Sequence, residues 1–385
     1  MGYTLLTHAI IHNWTGSTMH RKKLHRCFRL LIVVGVLIPA CFADEVEEIL
    51  GRMSLREKAG QMILVYNSPI SFLEENAVGG VLIMKNMLES PRRLRRRLDS
   101  AQAQLPIPLL VAIDQEGGKV NRLSALPGWE RVASAKELRT WALDSITWLG
   151  ERTARCMNEL GLNLNLAPVL DPSLNHTNRE TFMEIERRSF GNDADAIVPP
   201  AKAFTTGFAN HGIMCIAKHF PGYDVESNSD HEVAASDADS MAVAQSVEAF
   251  IAMNPLMGGV MMSSIHYRAL CKEPAVLCST MVSWAREVAG ENVIMTDDLW
   301  GTALRSFVLP GRRIHRTIYP DSAFAKLVEM AVRAGNDVLM ITYPAKVPMM
   351  LEVMQSLAHY DHNVAEQIDR AARRILILKK RMGLW

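Results

Sequence analysis

From residue 60 onward, short apolar runs alternate with longer stretches of helical character. The runs read as strands at 61–67 (QMILVYN), 79–84 (GGVLIM), 109–114 (LLVAID), 162–171 (LNLNLAPVLD), 213–220 (IMCIAKHF), 258–267 (GGVMMSSIHY), 292–298 (NVIMTDD) and 337–343 (DVLMITY). Several are apolar almost without a break, the pattern of parallel strands buried on both faces. Helix-like stretches at 131–160, 194–211, 237–254 and 322–334 are long enough to serve as crossovers, and a basic Leu/Ile-rich helix closes the chain at 363–382. Eight strand–helix units in series predict an α/β fold, a (β/α)8 TIM-type barrel forming a single domain over 44–385. No Gly-rich dinucleotide fingerprint follows any of the runs, which ranks an open doubly wound sheet below the barrel.

The pattern changes before residue 44. A basic stretch (His20-Arg21-Lys22-Lys23) precedes an apolar one (Leu30 to Ile38), and small residues then lead to Asp44 and Glu45. That order is the grammar of an export signal, and the apolar core is short for a membrane span. Residues 1–43 are therefore read as leader and signal peptide, with cleavage after Ala43 as one outcome. Ile38-Pro39-Ala40-Cys41 also resembles a bacterial lipoprotein box, which would put a lipid anchor on Cys41. The expected location is exported, either periplasmic or membrane-anchored.

Composition narrows the partners. The 385 residues are 49% hydrophobic and 22% charged with a formal net charge of +1, so no electrostatic case exists for nucleic acid. The run Arg92-Arg93-Leu94-Arg95-Arg96-Arg97 reads as a solvated helix face, and a monomer is expected. Of six cysteines, Cys27 and Cys41 belong to the export segment, and Cys156 and Cys215 read as core thiols. Cys271 and Cys278 are close enough in sequence to pair in an oxidising compartment.

A barrel of this kind places its chemistry where strands end. Asp114, Asp171, Lys218 with His219, His266, and Asp297 with Asp298 all fall at the C-terminal ends of their runs, so they are expected to converge on one mouth. The loop after Lys218, 217–232 (AKHFPGYDVESNSDHE), adds Asp224, Glu226, Asp230, His231 and Glu232. His219, His231 and His266 raise the question of a metal. The first run ends Val65-Tyr66-Asn67 without a His pair and the last ends Ile341-Thr342-Tyr343 without an Asp, so neither metal nor cofactor is expected.

These motifs together resemble glycoside hydrolase family 3. VAIDQEGGKVNRL (111–123), NLNLAPVLD (163–171), RRSFGND (187–193), AKHFPG (217–222), VMMSSIHY (260–267) and MTDDL (295–299) look like its successive signatures, in family order. They are closest to its single-domain β-N-acetylhexosaminidase branch. The resemblance implies retaining hydrolysis of a terminal β-linked N-acetylglucosaminide, with Asp297 as the nucleophile that forms a covalent glycosyl-enzyme. It implies that Asp114, Arg122, Arg188, Lys218 and His219 hold the sugar's hydroxyls and acetamido group, and that Asp298 supports the strand end. Gly117 and Gly118 are expected to let backbone approach the ligand closely.

The branch takes its proton carrier from a histidine two residues after an Asp, in the order Asp-Ser/Thr-His. Counting from Lys218, His231 occupies the histidine position, and its unperturbed pKa near neutrality suits an acid/base. Ser229 stands where the partner Asp is expected, and Asp230 stands at the Ser/Thr position. Asp224 and Glu226 are candidates to reach round in its place. Two other readings stay open: a different family 3 specificity, such as a β-glucosidase or phosphorylase-like transfer, and an exported sugar-binding lipoprotein whose catalysis Ser229 has weakened. Export is itself a departure, because the branch is more often an intracellular recycler of cell-wall fragments.

Overall fold

A computed structural model describes residues 40–310 and 319–385, with backbone alone for 40–44. The leader and signal-peptide reading of 1–43, together with Cys27 and the lipid site at Cys41, therefore lies outside the described residues. The chain divides into two units, Met1–Glu47 and Glu48–Trp385. Of the first, only the start of helix α1 (Ala40–Arg52) is described.

The second unit contains eight parallel strands: β1 (Ile63–Tyr66), β2 (Gly80–Ile83), β3 (Leu110–Ile113), β4 (Leu164–Asn165), β5 (Met214–Phe220), β6 (Gly259–Met262), β7 (Val293–Met295) and β8 (Leu339–Ile341). Their order in the sheet is β7-β6-β5-β4-β3-β2-β1-β8. A parallel bridge from Met295 to Val338 joins the two ends, so the sheet closes as the eight-fold pattern predicts. β2, β3 and β6 are buried at every position, which explains why their runs read as unbroken apolar stretches.

Helices α2 (Pro91–Gln104), α3 (Leu143–Leu160), α4 (Ala194–Ala209), α5 (Ser240–Met253), α6 (Ser279–Ala289), α7 (Asp321–Ala334), α8 (Val347–Tyr360) and α9 (His362–Arg381) cover the outside. Among the described residues, no helix is long and apolar enough to cross a membrane. α2 buries Leu94 and Leu98 and turns Arg92, Arg93, Arg96 and Arg97 outward, as expected for the basic run. α3 and α4 pack very closely. A Cβ on Gly150 would sit 2.4 Å from the Phe204 carbonyl, so only hydrogen fits there.

Three elements differ from the expectation, each for a local reason. The strand expected over 162–171 is regular only at Leu164–Asn165, because Pro168 has no N–H to give to a ladder. The chain still follows β5: Lys218 N donates to the Pro168 carbonyl at 3.0 Å and Leu170 N to the Lys218 carbonyl at 2.7 Å. The run 258–267 is two strands, since after Met262 the chain leaves the barrel and His266–Tyr267 pairs instead with Ala235–Ser236. The helix expected over 131–160 is a short turn, Ala135–Leu138, capped by Ser134 and Glu137, followed by α3.

Cys271 and Cys278 form a disulfide, with Cα atoms 6.3 Å apart. Cys156 and Cys215 are free, and burial pushes the Cys156 thiol up to about 11, as suits packed rather than reactive thiols.

Candidate active site

The site begins at the end of β3. Asp114 and Glu116 lie two residues apart on nearly extended chain, so their carboxylates leave on the same side. Gln115–Gly117 folds back on Val120–Asn121 with a bulge. Gly117 has a φ of +91°, and a Cβ there would meet the Ala133 carbonyl at 2.2 Å. A Cβ on Gly118 would meet that of Ser134 at 2.7 Å. The two glycines therefore admit the loop's own return segment, which corrects the expectation that they open the backbone to a ligand.

Lys218, at the end of β5, reaches across to both carboxylates. Its Nζ is 2.6 Å from Asp114 Oδ1 and 2.6 Å from Glu116 Oε1. Glu116 is also gripped by Arg188 through two bonds, Nε at 2.8 Å and Nη2 at 2.9 Å. Arg122 stands 3.6 Å from the other oxygen of Asp114. Three cations thus bracket two carboxylates in a site where Lys218 is only 3% exposed. Burial alone would raise Asp114 and Glu116, but the surrounding cations outweigh it and hold both below their ordinary values. Lys218 is correspondingly raised, because Asp114 and Glu116 outweigh the cost of burying it. Arg122 Nε is buried without a partner among the described residues, a donor left over at the cavity wall.

His219 is fixed by Asp171, whose carboxylate accepts from the His219 backbone N at 3.0 Å and lies 2.6 Å from Nδ1. That leaves Nε2 as the free ring nitrogen. Asp171 is fully buried behind the imidazole and does not itself reach the cavity. His266 does not reach it either, because its Nε2 is 3.1 Å from the Cys271 carbonyl beside the disulfide. Both positions were expected at the mouth.

At the end of β7, Thr296 is tied to the next strand through its Oγ1, which accepts from Met340 N at 2.9 Å. Asp297 then leaves the barrel with one oxygen, Oδ1, accepting from Asp298 N at 2.8 Å. Burial raises Asp297 above the ordinary carboxylate value; His219 opposes the shift and Asp230 adds to it. Asp298 turns the other way and accepts from Trp300 N and Thr342 N, each at 3.0 Å, and from the Thr342 hydroxyl. Burial lifts it to about 6. Asp298 therefore anchors the loop after β7 to the loop after β8.

The arm after β5 carries His231. Asn228 builds a turn by accepting from His231 N at 3.0 Å and, through its side chain, from Asp230 N at 2.9 Å. Tyr223 OH donates to the Ser227 carbonyl and accepts from Ser229 N, both at 2.8 Å. Ser229, buried beside that tyrosine, lines the cavity together with Asp230 and His231. Neither candidate substitute carboxylate reaches the imidazole. Asp224 is held by Ser236 Oγ at 2.8 Å and His176 Nδ1 at 3.2 Å, and Glu226 pairs with Arg179 at 3.1 Å. Asp224 closes the base of the arm instead, and Arg268 locks its far end by pairing with Asp237 at 2.7 Å.

All seven residues proposed from sequence, Asp114, Arg122, Arg188, Lys218, His219, His231 and Asp297, line one cavity of about 500 Å³. Sequence reasoning missed Glu116, although its place two residues after Asp114 was a usable signal. It also missed the apolar walls, including Met261, Phe182, Trp300 and Tyr343. Met261 lies on β6, and the three aromatics come from segments after the strands, where a lone aromatic carries no pattern. A cavity with apolar walls and convergent ionic groups suits a ring that is apolar on its faces and hydroxylated at its edge.

The sequence model described as the glycosyl hydrolase family 3 N-terminal domain matches residues 54–378. The beta-hexosaminidase LpqI of Mycobacterium tuberculosis is 25% identical over 283 residues, covering 71% of this chain and 69% of that one. A beta-hexosaminidase of Haemophilus ducreyi is 27% identical over 329 residues, covering 81% and 86%. The crystal structure of a beta-N-acetylhexosaminidase from Beutenbergia cavernae superposes with a TM-score of 0.69 at 25% identity, over 85% of this chain and 99% of that one.

Proposed function

Because the chain belongs to glycosyl hydrolase family 3, we propose that it releases terminal non-reducing β-linked N-acetylglucosamine from peptidoglycan fragments or other glycans, with retention at the anomeric carbon. It is a glycoside hydrolase of the β-N-acetylhexosaminidase class, the class of the similar bacterial proteins. One observation carries the mechanism. The Asp297 carboxylate, the bracketed pair Asp114 and Glu116, and the His231 arm all face the same cavity.

In this reading Lys218, Arg122 and Arg188 donate to sugar oxygens, and Asp114 accepts from hydroxyls. Asp298 N holds one oxygen of Asp297, so the other attacks the anomeric carbon while His231 gives a proton to the departing oxygen. His231 then takes a proton from the water that releases the sugar. With Ser229 in the partner position, no carboxylate among the described residues steadies the imidazolium. The acid step therefore leans on the quality of the leaving group.

Two results are expected. His231→Ala lowers kcat/KM by roughly 10²-fold or more on an alkyl N-acetylglucosaminide and much less on a dinitrophenyl one, whose lowered kcat azide restores by replacing water in the second step. An equal loss on both substrates removes His231 from the proton-transfer role. The second concerns pH. Asp297 attacks only when ionised and its pKa is raised, so kcat/KM falls on the acid side at a pH above the ordinary carboxylate value of 3.8. A profile flat down to that value contradicts the assignment.

Retention is tested by following the anomeric configuration of the first-formed product by NMR. A sugar-binding protein with weakened catalysis is the second reading, favoured by Ser229; saturable binding of N-acetylglucosamine with no aryl release would select it. Nitrophenyl β-glucoside assayed in parallel, with and without phosphate, tests the other family 3 specificities.

The Cys271–Cys278 bridge favours an oxidising compartment, which fits export as a periplasmic or membrane-anchored protein. We place the catalytic domain at 44–385, the leader and signal peptide at 1–43, and the working unit as a monomer.

A further inference from the structure

A second group of aromatic side chains lies on the outer rim of the barrel. Trp141 is 41% exposed, Leu143 48% and Trp148 55%. Trp141 stands just before α3 and Trp148 on it, and the two indoles line one open hollow together with Asp144 and Ser145. Exposed indoles each leave a large apolar face in water, and two sharing a hollow with polar neighbours have the make-up of a binding surface. α3 follows β3, so its N-terminus lies at the same end of the barrel as Asp114.

The rim is braced to the catalytic cavity. Lys136, in the segment leading to Trp141, pairs with Glu184 at 2.5 Å, and Arg139 pairs with the same carboxylate. Arg139 Nη2 also donates to the Ser189 carbonyl at 2.9 Å. Glu184 belongs to the short helix Phe182–Ile185, whose Phe182 and Met183 line the cavity, and Ser189 follows Arg188. Ile185, on that same helix, is exposed. Cavity wall and aromatic rim are thus carried by two segments cross-linked through Glu184 and Ser189.

We propose that Trp141 and Trp148 form a surface site that stacks on pyranose rings of a glycan chain whose non-reducing end occupies the catalytic cavity. The proposal rests on the reading of the cavity as an N-acetylglucosaminide site. With the chain end in the cavity, the proposal puts later units of a longer glycan over the rim at the same end of the barrel. A pyranose offers an apolar C–H face to an indole, while its hydroxyls and acetamido N–H can donate to the Asp144 carboxylate and Ser145 Oγ. Asp144 also argues against a lipid occupant, because a carboxylate beside the indoles is repelled by an anionic headgroup surface.

The test compares the wild-type rim with the Trp141→Ala/Trp148→Ala double variant, reading binding of N-acetylglucosamine and its linear hexamer in an Asp297→Asn background that leaves the glycan uncut, and turnover of nitrophenyl β-N-acetylglucosaminide with Asp297 intact. The double variant is expected to bind the hexamer about tenfold more weakly by calorimetry, with binding of the monomer and turnover of the aryl glycoside unchanged. Trp148→Phe, which keeps a stacking face, retains most of the hexamer affinity. Equal hexamer affinity in wild type and double variant overturns the proposal. Trp-dependent sedimentation with phosphatidylglycerol vesicles, with hexamer binding unaltered, overturns it in favour of a membrane contact. A wild type that binds the hexamer through both tryptophans but turns over no glycoside sinks the catalytic reading and leaves this site standing.

Discussion

Asp297→Ala eliminates turnover of nitrophenyl β-N-acetylglucosaminide, with kcat reduced by about 10⁴-fold or more, as loss of a covalent nucleophile demands. The geometry makes the role specific. Of the two adjacent carboxylates, Asp298 is fully engaged by Trp300 N, Thr342 N and the Thr342 hydroxyl, whereas Asp297 accepts one bond from Asp298 N. Asp298 cannot take over without dismantling that anchor. Asp297→Asn separates chemistry from folding. The amide keeps an oxygen for Asp298 N but cannot attack, so activity is lost while the fold remains. Stability moves the opposite way. A carboxylate whose folded pKa is raised adds stability below its unfolded pKa and loses that contribution as pH rises through the folded value. At neutral pH the ionised Asp297 therefore costs stability, and Asp297→Asn melts at the same temperature as wild type or higher. A clearly lower melting temperature for Asp297→Asn, or residual kcat near wild type in either variant, contradicts this account.

Lys218→Met destabilises the protein by about 3–5 kcal/mol, the usual result of removing one partner from a buried ion pair. Lys218 serves two carboxylates at once, and its loss leaves Asp114 with only Arg122 at 3.6 Å. Thermal unfolding at pH 7 reads the loss. The sign of its pH dependence is fixed by Glu116, whose folded pKa is depressed below 4.5. Its contribution to wild-type stability is fully present above that value and is lost only as pH falls below it towards the depressed folded pKa, so the gap between wild type and Lys218→Met holds down to about pH 4.5 and narrows only below it. Adding Glu116→Gln to Lys218→Met recovers part of the loss, because the orphaned charge is gone. Strictly additive effects would show that the pair is not coupled.

The barrel was legible because parallel strands buried on both faces leave an unbroken apolar signature, and all eight runs contain a strand. Their lengths were not. The unbroken reading of 162–171 fails at Pro168, and that of 258–267 fails where the chain turns out to pair with the arm after β5. The site was legible at the strand ends, where Asp114, Lys218 and Asp297 each follow an apolar run. Asp171 and His266 carried the same signal and turn away from the cavity, since strand-end position fixes which end of the barrel a residue occupies but not the direction of its side chain. Glu116 and the aromatic walls sit in the segments that follow the barrel strands, where side-chain direction depends on tertiary contacts that local pattern does not encode. The partner of His231 shows the same limit. Asp224 and Glu226 are close to it in sequence, yet they are committed to Ser236, His176 and Arg179.

The central claim is that Asp297 becomes covalently attached to the sugar, and trapping tests it most directly. Incubation with an activated fluorinated N-acetylglucosaminide that forms the intermediate faster than it hydrolyses, followed by digestion and fragment-ion mass spectrometry, locates the attached sugar. The account predicts one sugar added on Asp297, with Asp298 of the same peptide unlabelled. A sugar on Asp230, Asp298 or Glu116, or rapid turnover with no trapped species at all, would contradict it.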